Sequence, residues 1–307
     1  MKQSRSGWRY EFDDLIRGAS GGFLFGIPLI YTMEVWWIGS YATPSVLLGI
    51  LAITFGIVWM LNRTDGFRQA SPDSSLEATQ DSIEALAIGL LCTTCTLILL
   101  GEIRPETSLS EALGKIIFES VPFAIGVAVA RSILNSDRRS SDSNPANPNT
   151  ASNSRSTRSP QSTGQPKLQQ NLSHSQQATL NDIGAALIGA VFVGISIAPT
   201  DEIPMLAAAA SPPWLIAIIL ASLIISYGIV FAAGFTAQQR RRQQQGIFQT
   251  PLTETVIAYL VSLLAAALML WFFHRLSFSD PWTLWLSETL LMGLPTTIGG
   301  AAGRLAV

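Results

Sequence analysis

Charge is scarce in this sequence. Only 13% of the 307 residues are charged, whereas about 25% is usual for a soluble domain. The 19 Lys and Arg residues nearly balance the 21 Asp and Glu residues, which does not suggest a nucleic-acid-binding protein. Two cysteines are too few for a disulfide scaffold. The composition therefore argues against an ordinary cytosolic enzyme.

Motifs of enzymes and metal sites are also lacking. The two histidines, His174 and His274, have no neighbours in the sequence that suggest a metal site or a catalytic triad. There is no glycine-rich phosphate loop, nucleophile elbow or metalloprotease motif. We therefore predict neither an enzyme nor a bound cofactor or metal.

Long apolar runs are what the sequence does have, since 48% of its residues are hydrophobic. A helix needs about 20 mostly apolar residues to cross a bilayer, and backbone groups in lipid must be satisfied within the segment. The sequence predicts an all-α, polytopic membrane protein with eight transmembrane helices, at 18–38, 44–62, 83–101, 112–134, 181–199, 213–235, 252–273 and 285–304.

The positive residues predict the orientation of these helices. Sixteen of the 19 Lys and Arg residues fall on one face, and the exceptions are Arg104, Lys115 and Arg275. Because Lys and Arg concentrate in cytoplasmic loops, both termini are expected in the cytoplasm. Tryptophans favour the headgroup level, and the predicted outer boundary carries Trp36, Trp37, Trp214, Trp271, Trp282 and Trp285.

The two halves of the chain resemble each other. The fourth run contains Pro122, Ile125, Gly126, Ala128 and Arg131, and the same spacing recurs in the eighth run as Pro295, Ile298, Gly299, Ala301 and Arg304. We predict two parallel four-helix repeats, 1–135 and 178–307, related by an axis along the membrane normal. The polar segment 136–177 between them is predicted to be a disordered cytoplasmic linker.

Acidic residues near the outer face are the candidate site. Glu34 lies about 24 Å along the first helix from the 1.5 Å rise, and Glu202 is its repeat counterpart, just after the helix-breaking Pro199. Ionisable groups inside a span are functional suspects, although these acids could also simply cap or snorkel at helix ends. The candidate ion- or solute-binding residues are Glu34, Asp201, Glu202, Glu119, Thr32 and Thr200.

The fourth and eighth runs carry the remaining candidates. Glu111, Lys115 and Glu119 are spaced to pair along one helix face, so a structural ion pair is favoured over a relay; the repeat counterpart of Lys115 is Glu288, a charge reversal. Helix packing through small residues is favoured over a carbonyl freed by proline for Pro122, Gly126, Pro295, Gly299 and Gly303.

Two stretches carry a family resemblance. FGIPLIYTMEVWW at 25–37 and PTDEIPML at 199–206 resemble the marker stretches of an uncharacterised family of bacterial, including cyanobacterial, integral membrane proteins with a domain of unknown function. The resemblance implies a bacterial inner membrane and no established activity. It carries over no catalytic residues, although both stretches contain one of the selected acids, Glu34 or Glu202.

Two functions follow as hypotheses. The first is a transporter or channel for a small ion or solute, with a cation favoured, that uses the acids near the outer face. The alternative is a non-transporting scaffold, sensor or assembly factor that acts through its cytoplasmic linker and loops. The expected partners are the lipid bilayer and a small cation or proton, with a homo-oligomer left open and no nucleic acid.

Overall fold

The computed structural model describes residues 4–64, 75–134, 167–232 and 251–305. Every regular element within these ranges is a helix, so the predicted all-α class is confirmed for this part of the chain. The helices are α1 (Ser4–Ile30), α2 (Met33–Tyr41), α3 (Pro44–Thr64), α4 (Ser75–Leu100), α5 (Leu109–Leu134), α6 (Lys167–Ile197), α7 (Glu202–Ala209), α8 (Pro212–Tyr227), α9 (Pro251–Phe272) and α10 (Trp282–Leu305).

Six of the described helices are long and apolar enough to cross a bilayer, and α1 with α2 would make a seventh if that bent pair is one span. The expected count of eight is therefore not reached. The predicted single helix 18–38 is two helices, because α1 ends at Ile30 and α2 leaves at 93° to it. The predicted span 285–304 lies in α10, which is not among the six.

Both long-to-short helix junctions have a proline close by. In the first, Pro28 lies in the last turn of α1 and Thr32 is extended, with φ −142° and ψ 97°. In the second, α6 ends at Ile197, just before Pro199. Proline removes a backbone donor and crowds the preceding turn, so the predicted helix break at Pro199 is confirmed.

The helices α5 and α10 are the central helices of the two halves. In the first half α5 packs against α1, α2, α3 and α4, and in the second α10 packs against α6, α7, α8 and α9. Nearly every residue of α10 from Leu290 to Arg304 is buried. Because α10 has little surface left for lipid, its sequence can include Glu288, Thr296 and Thr297 without exposing them.

The two halves are in direct contact. The Tyr31 hydroxyl donates to the Leu291 carbonyl at 3.2 Å, and the Trp214 indole N–H donates to the Leu99 carbonyl at 2.6 Å. In addition, α1 packs against α10 and against the π-helical turn Gly228–Ala232, which directly follows α8.

The predicted linker 136–177 falls mostly outside the described residues. Its last part is inside them, and there α6 begins at Lys167, so residues 167–177 are helical. The proposed domain boundaries stay predictions.

Candidate functional site

The buried carboxylate of Glu202 crosses from one half of the protein to the other. Glu202 is the first residue of α7 and is 5% exposed. Its Oε1 accepts a hydrogen bond from the backbone N–H of Met33, the first residue of α2, at 3.3 Å. The first N–H groups of a helix have no partner within the helix, and the helix dipole favours negative charge there. Glu202 thus caps α2 with an acidic side chain from the other half.

The second oxygen of Glu202 is not used in this way. Oε2 is buried and has no hydrogen-bond partner among the described residues. A buried polar atom without a partner is uncommon in proteins, and such an atom often contacts an ordered water or an ion, or has a functional role. This oxygen makes Glu202 the best-defined candidate for exchanging a small species.

Glu34 lies in a different environment from its repeat counterpart. It is the second residue of the short helix α2 and its side chain is exposed, whereas the sequence placed it inside a continuous first helix. Glu202 bonds to the backbone of Met33, the residue before Glu34. The physical reason for the different environments is the break between α1 and α2.

Asp201 is engaged with a residue that the sequence analysis did not select. The Arg275 guanidinium, in the loop between α9 and α10, pairs with the Asp201 carboxylate and donates to the Pro199 carbonyl. The Asp201 side chain is 75% exposed. Arg275 was visible in the sequence only as one of three positive residues on the outer face.

The two candidate threonines bond to their own helices. The Thr32 hydroxyl donates to the Leu29 carbonyl at 3.0 Å, and the Thr200 hydroxyl donates to the Ile197 carbonyl at 2.7 Å. Each hydroxyl thereby satisfies a carbonyl at the end of the long helix that precedes it. Their structural placement is equivalent in the two halves.

Glu119 lies in the interior, beside α2. It is 2% exposed, and its Oε1 has no hydrogen-bond partner among the described residues. Its carboxyl group lies beside the indole of Trp36, which is itself 1% exposed and whose Nε1 also has no hydrogen-bond partner in the described part of the chain. Trp36 was expected to be an anchor at the membrane surface, and that expectation is wrong because α2 turns this side chain inwards against α5.

Lys115 forms ion pairs with Glu102 at 3.2 Å and with Glu111 at 3.0 Å. The predicted i, i+4 pair of Glu111 and Lys115 is therefore present. The further pairing of Lys115 with Glu119 is not among the ion pairs within the described residues, because Lys115 reaches towards the outer loop. This leaves the Glu119 carboxylate with Trp36 and not with a cation.

A third buried acid, Glu288, was noted in the sequence only as the counterpart of Lys115. It is 2% exposed, and its Oε2 has no hydrogen-bond partner in the described part of the chain. It interacts electrostatically with Arg275 and Asp280. The signal that could have found it is the charge reversal, because Lys115–Glu102 in one half is matched by Glu288 and Arg275 in the other.

The candidate packing residues lie where helices touch. A Cβ on Gly126 would come within 2.8 Å of Phe25 Cβ on α1, and a Cβ on Gly299 would come within 2.9 Å of Val193 Cβ on α6. A Cβ on Gly303 would lie 3.1 Å from Gly189 Cα. Pro122 and Pro295 lie inside α5 and α10, which continue through them.

The neighbours of the buried acids limit the chemistry of the site. The identified partner of the Glu202 carboxylate is an N–H group, from Met33. Calcium takes six to eight oxygen ligands and magnesium needs a near-ideal octahedron of them, and no group of three His, Cys, Asp or Glu residues within the described ranges could hold a metal ion. A proton needs only the carboxylate oxygen itself.

Apolar helices of this length, with buried acids between them, define a multi-pass integral membrane protein. The chain belongs to the family whose model is described as "Putative integral membrane protein (DUF2391)", which matches residues 14–307. This confirms the family resemblance of the sequence. No curated protein and no solved structure matches the chain.

Proposed function

We propose that this protein is a transporter or channel for a small cation, and that the cation is the proton. The observation that carries the proposal is Glu202, a buried carboxylate that joins the two halves through Met33 while its Oε2 has no partner in the described part of the chain. An ionisable group at membrane depth costs about 2.5–3.5 kcal/mol on insertion scales, so a role in proton exchange would explain its presence.

Glu202 and Glu119 are the exchanging carboxylates of this proposal. Both lie against the first turn of α2, Glu202 at Met33 and Glu119 at Trp36. Met33 and Trp36 are three positions apart and so share one face of α2. A proton on Glu202 weakens its bond to the Met33 N–H, which offers a way to couple proton movement to the position of this short helix.

The proposal includes eight crossings arranged as two parallel repeats. The order of one long helix, one short helix and three further helices occurs in both halves. Equivalent glycines also meet in each half, Gly21 with Gly126 and Gly189 with Gly299. If α10 is counted as a span, and α2 and α7 as helices on the outer surface, the number of crossings is even. Both termini then lie on the cytoplasmic side of a bacterial inner membrane.

The direct test is proton flux into vesicles that contain the purified full-length protein. An acid-outside gradient should acidify the lumen faster than in protein-free vesicles, as reported by a trapped pH-sensitive dye. Imposed sodium and potassium gradients should give no protein-dependent flux of those ions. Flux of either metal ion without proton flux would overturn the choice of the proton.

A scaffold, sensor or assembly factor is the second candidate. The favouring observation is that two of the predicted acids lie outside the buried site: Glu34 is exposed, and Asp201 is paired with Arg275 on the surface. Deletion of 136–166, with the helical start of α6 retained, separates the candidates. A transporter keeps its flux if the halves still associate, whereas a scaffold that depends on this segment loses its partner.

A further inference from the structure

We propose that Glu288 is a third proton-exchanging carboxylate, on the outer side, and that Arg275 is its counter-ion, shared with Asp201. This deepens the proposed function and rests on it for the direction of transport, although exchange of a proton at Glu288 can be measured without any flux. The site consists of Glu288 in the first turns of α10, Arg275 in the preceding loop, and Asp201 at the start of α7.

The burial of Glu288 supports this role. Glu288 is six residues into α10, which places it about 9 Å from the outer end of the helix at 1.5 Å per residue. It is 2% exposed, and Oε2 has no hydrogen-bond partner among the described residues. A carboxylate in this state needs a compensating charge or a proton.

A compensating charge acts on Glu288, although the two groups form no ion pair in the described part of the chain. Arg275 acts on Glu288 electrostatically while it pairs with Asp201 and donates to the Pro199 carbonyl. Its side chain is 27% exposed, between an exposed acid and a buried one. Arg275 can therefore shift its guanidinium towards Glu288 when that group loses its proton, and back towards Asp201 when Glu288 is protonated.

Few other charges face this position. Asp280 of the same loop acts on Glu288 with the opposite sign to Arg275. The helix α8 contains no charged residue, and the charges in described parts of the other helices that pack on α10 are at the distant cytoplasmic ends of α1, α6 and α9, except for Glu202 on α7. The charge of the Glu288 carboxyl is thus influenced mainly by Arg275 and Asp280.

A connection to the first site follows from the chain itself. Arg275 bonds to the turn that ends in Asp201. The next residue, Glu202, caps α2. Loss of the proton from Glu288 draws Arg275 away from Asp201 and loosens that turn. Proton exchange at the outer acid is thereby transmitted to the acid that joins the halves.

Infrared difference spectroscopy on the full-length protein in phospholipid vesicles tests this assignment. Acidification should add carboxylic C=O absorption, of which one component is lost in Glu288→Gln and retained in Glu106→Gln, an exposed acid of the outer loop 101–108. A spectrum of Glu288→Gln that matches wild type would overturn the assignment.

A second variant tests the counter-ion and covers the case in which Glu288→Gln does not fold. In Arg275→Gln the midpoint of the same band should move to higher pH, because the ionised carboxylate has lost a neighbouring positive charge. An unchanged midpoint would show that Arg275 is not the counter-ion. A titrating band without proton flux in wild type contradicts only the transport function, and flux without the band contradicts only the role of Glu288.

Discussion

The bond between Glu202 and the N-terminus of α2 has two energetic sources. A hydrogen bond to a charged group contributes about 1.5–3 kcal/mol, and a negative charge at a helix N-terminus contributes about 0.3–1 kcal/mol. Both apply to the Met33 N–H and the Glu202 Oε1. Protonation of Glu202 removes most of this stabilisation, which makes the contact sensitive to proton exchange.

Glu202→Ala is expected to destabilise the protein, because it leaves the Met33 N–H without its acceptor in a buried position. The expected loss is about 1–3 kcal/mol in the free energy of unfolding, read as a lower thermal midpoint by circular dichroism in detergent micelles.

The matched control is Glu34→Ala, its repeat counterpart, which is exposed and should change stability by about 0.5 kcal/mol or less. Glu202→Gln keeps a carbonyl oxygen for Met33 and should fall between the two. Equal midpoints for the two alanine variants would contradict the structural role of Glu202.

The sequence could select Glu34 and Glu202 but could not tell them apart. Both lie near the outer end of a long apolar run, and the repeat pattern assigns them the same place. Their difference in burial depends on contacts between the halves, which have no signature in a single sequence. Glu288 was missed as a candidate for a different reason: the charge reversal with Lys115 was visible, but the charge that acts on it, Arg275, lies in the loop before α10.

At the scale of the helix, small residues decide how closely α5 and α10 approach α1 and α6. Gly299 lies against Val193, where a Cβ would be 2.7 Å from Cγ2. On the other hand, a Cβ at Gly56 on α3 would meet nothing within 4 Å. These two glycines therefore serve different purposes, although the sequence presents both as glycines within an apolar run.

Gly299→Ala should destabilise the protein by about 1–3 kcal/mol, the usual cost of overpacking. Gly56→Ala should be neutral or stabilise by up to about 1 kcal/mol, the difference in helix propensity between the two residues. Thermal unfolding of the two variants side by side checks this. If Gly299→Ala were as stable as Gly56→Ala, the close approach of α10 to α6 would be wrong.

Helix positions were largely predictable, and helix breaks only in part. Seven of the eight apolar runs overlap a single long helix, because twenty apolar residues in succession leave little alternative. Pro199 marked the second break, whereas Pro28 lies inside α1 and the chain leaves the helix only after Ile30. The first break was therefore missed, and with it the inward position of Trp36.

At the scale of the whole molecule, the chain should cross the bilayer so that the loops 101–108 and 273–281 lie on one side and the end of α3 lies on the other. In a background without Cys92 and Cys95, single cysteines at Glu106 and Ser279 should react with a membrane-impermeant maleimide applied to intact cells. A cysteine at Arg63 should react only after the membrane is opened.

All three positions are exposed in the structure, so a failure to react reports the side of the membrane and not burial. Reaction of Glu106→Cys without Ser279→Cys in intact cells would contradict the parallel arrangement of the halves. The charge distribution predicted this orientation from sequence, since it depends on Lys and Arg counts and not on packing.

The most direct test of the central claim is proton flux through Glu202→Gln in vesicles, with Glu34→Gln as the matched control. Glutamine retains the shape and the acceptor oxygen but cannot exchange a proton at this position. We expect flux to fall at least about tenfold, equivalent to about 1.4 kcal/mol in the barrier, in Glu202→Gln and to stay near wild type in Glu34→Gln. Wild-type flux through Glu202→Gln would contradict the claim.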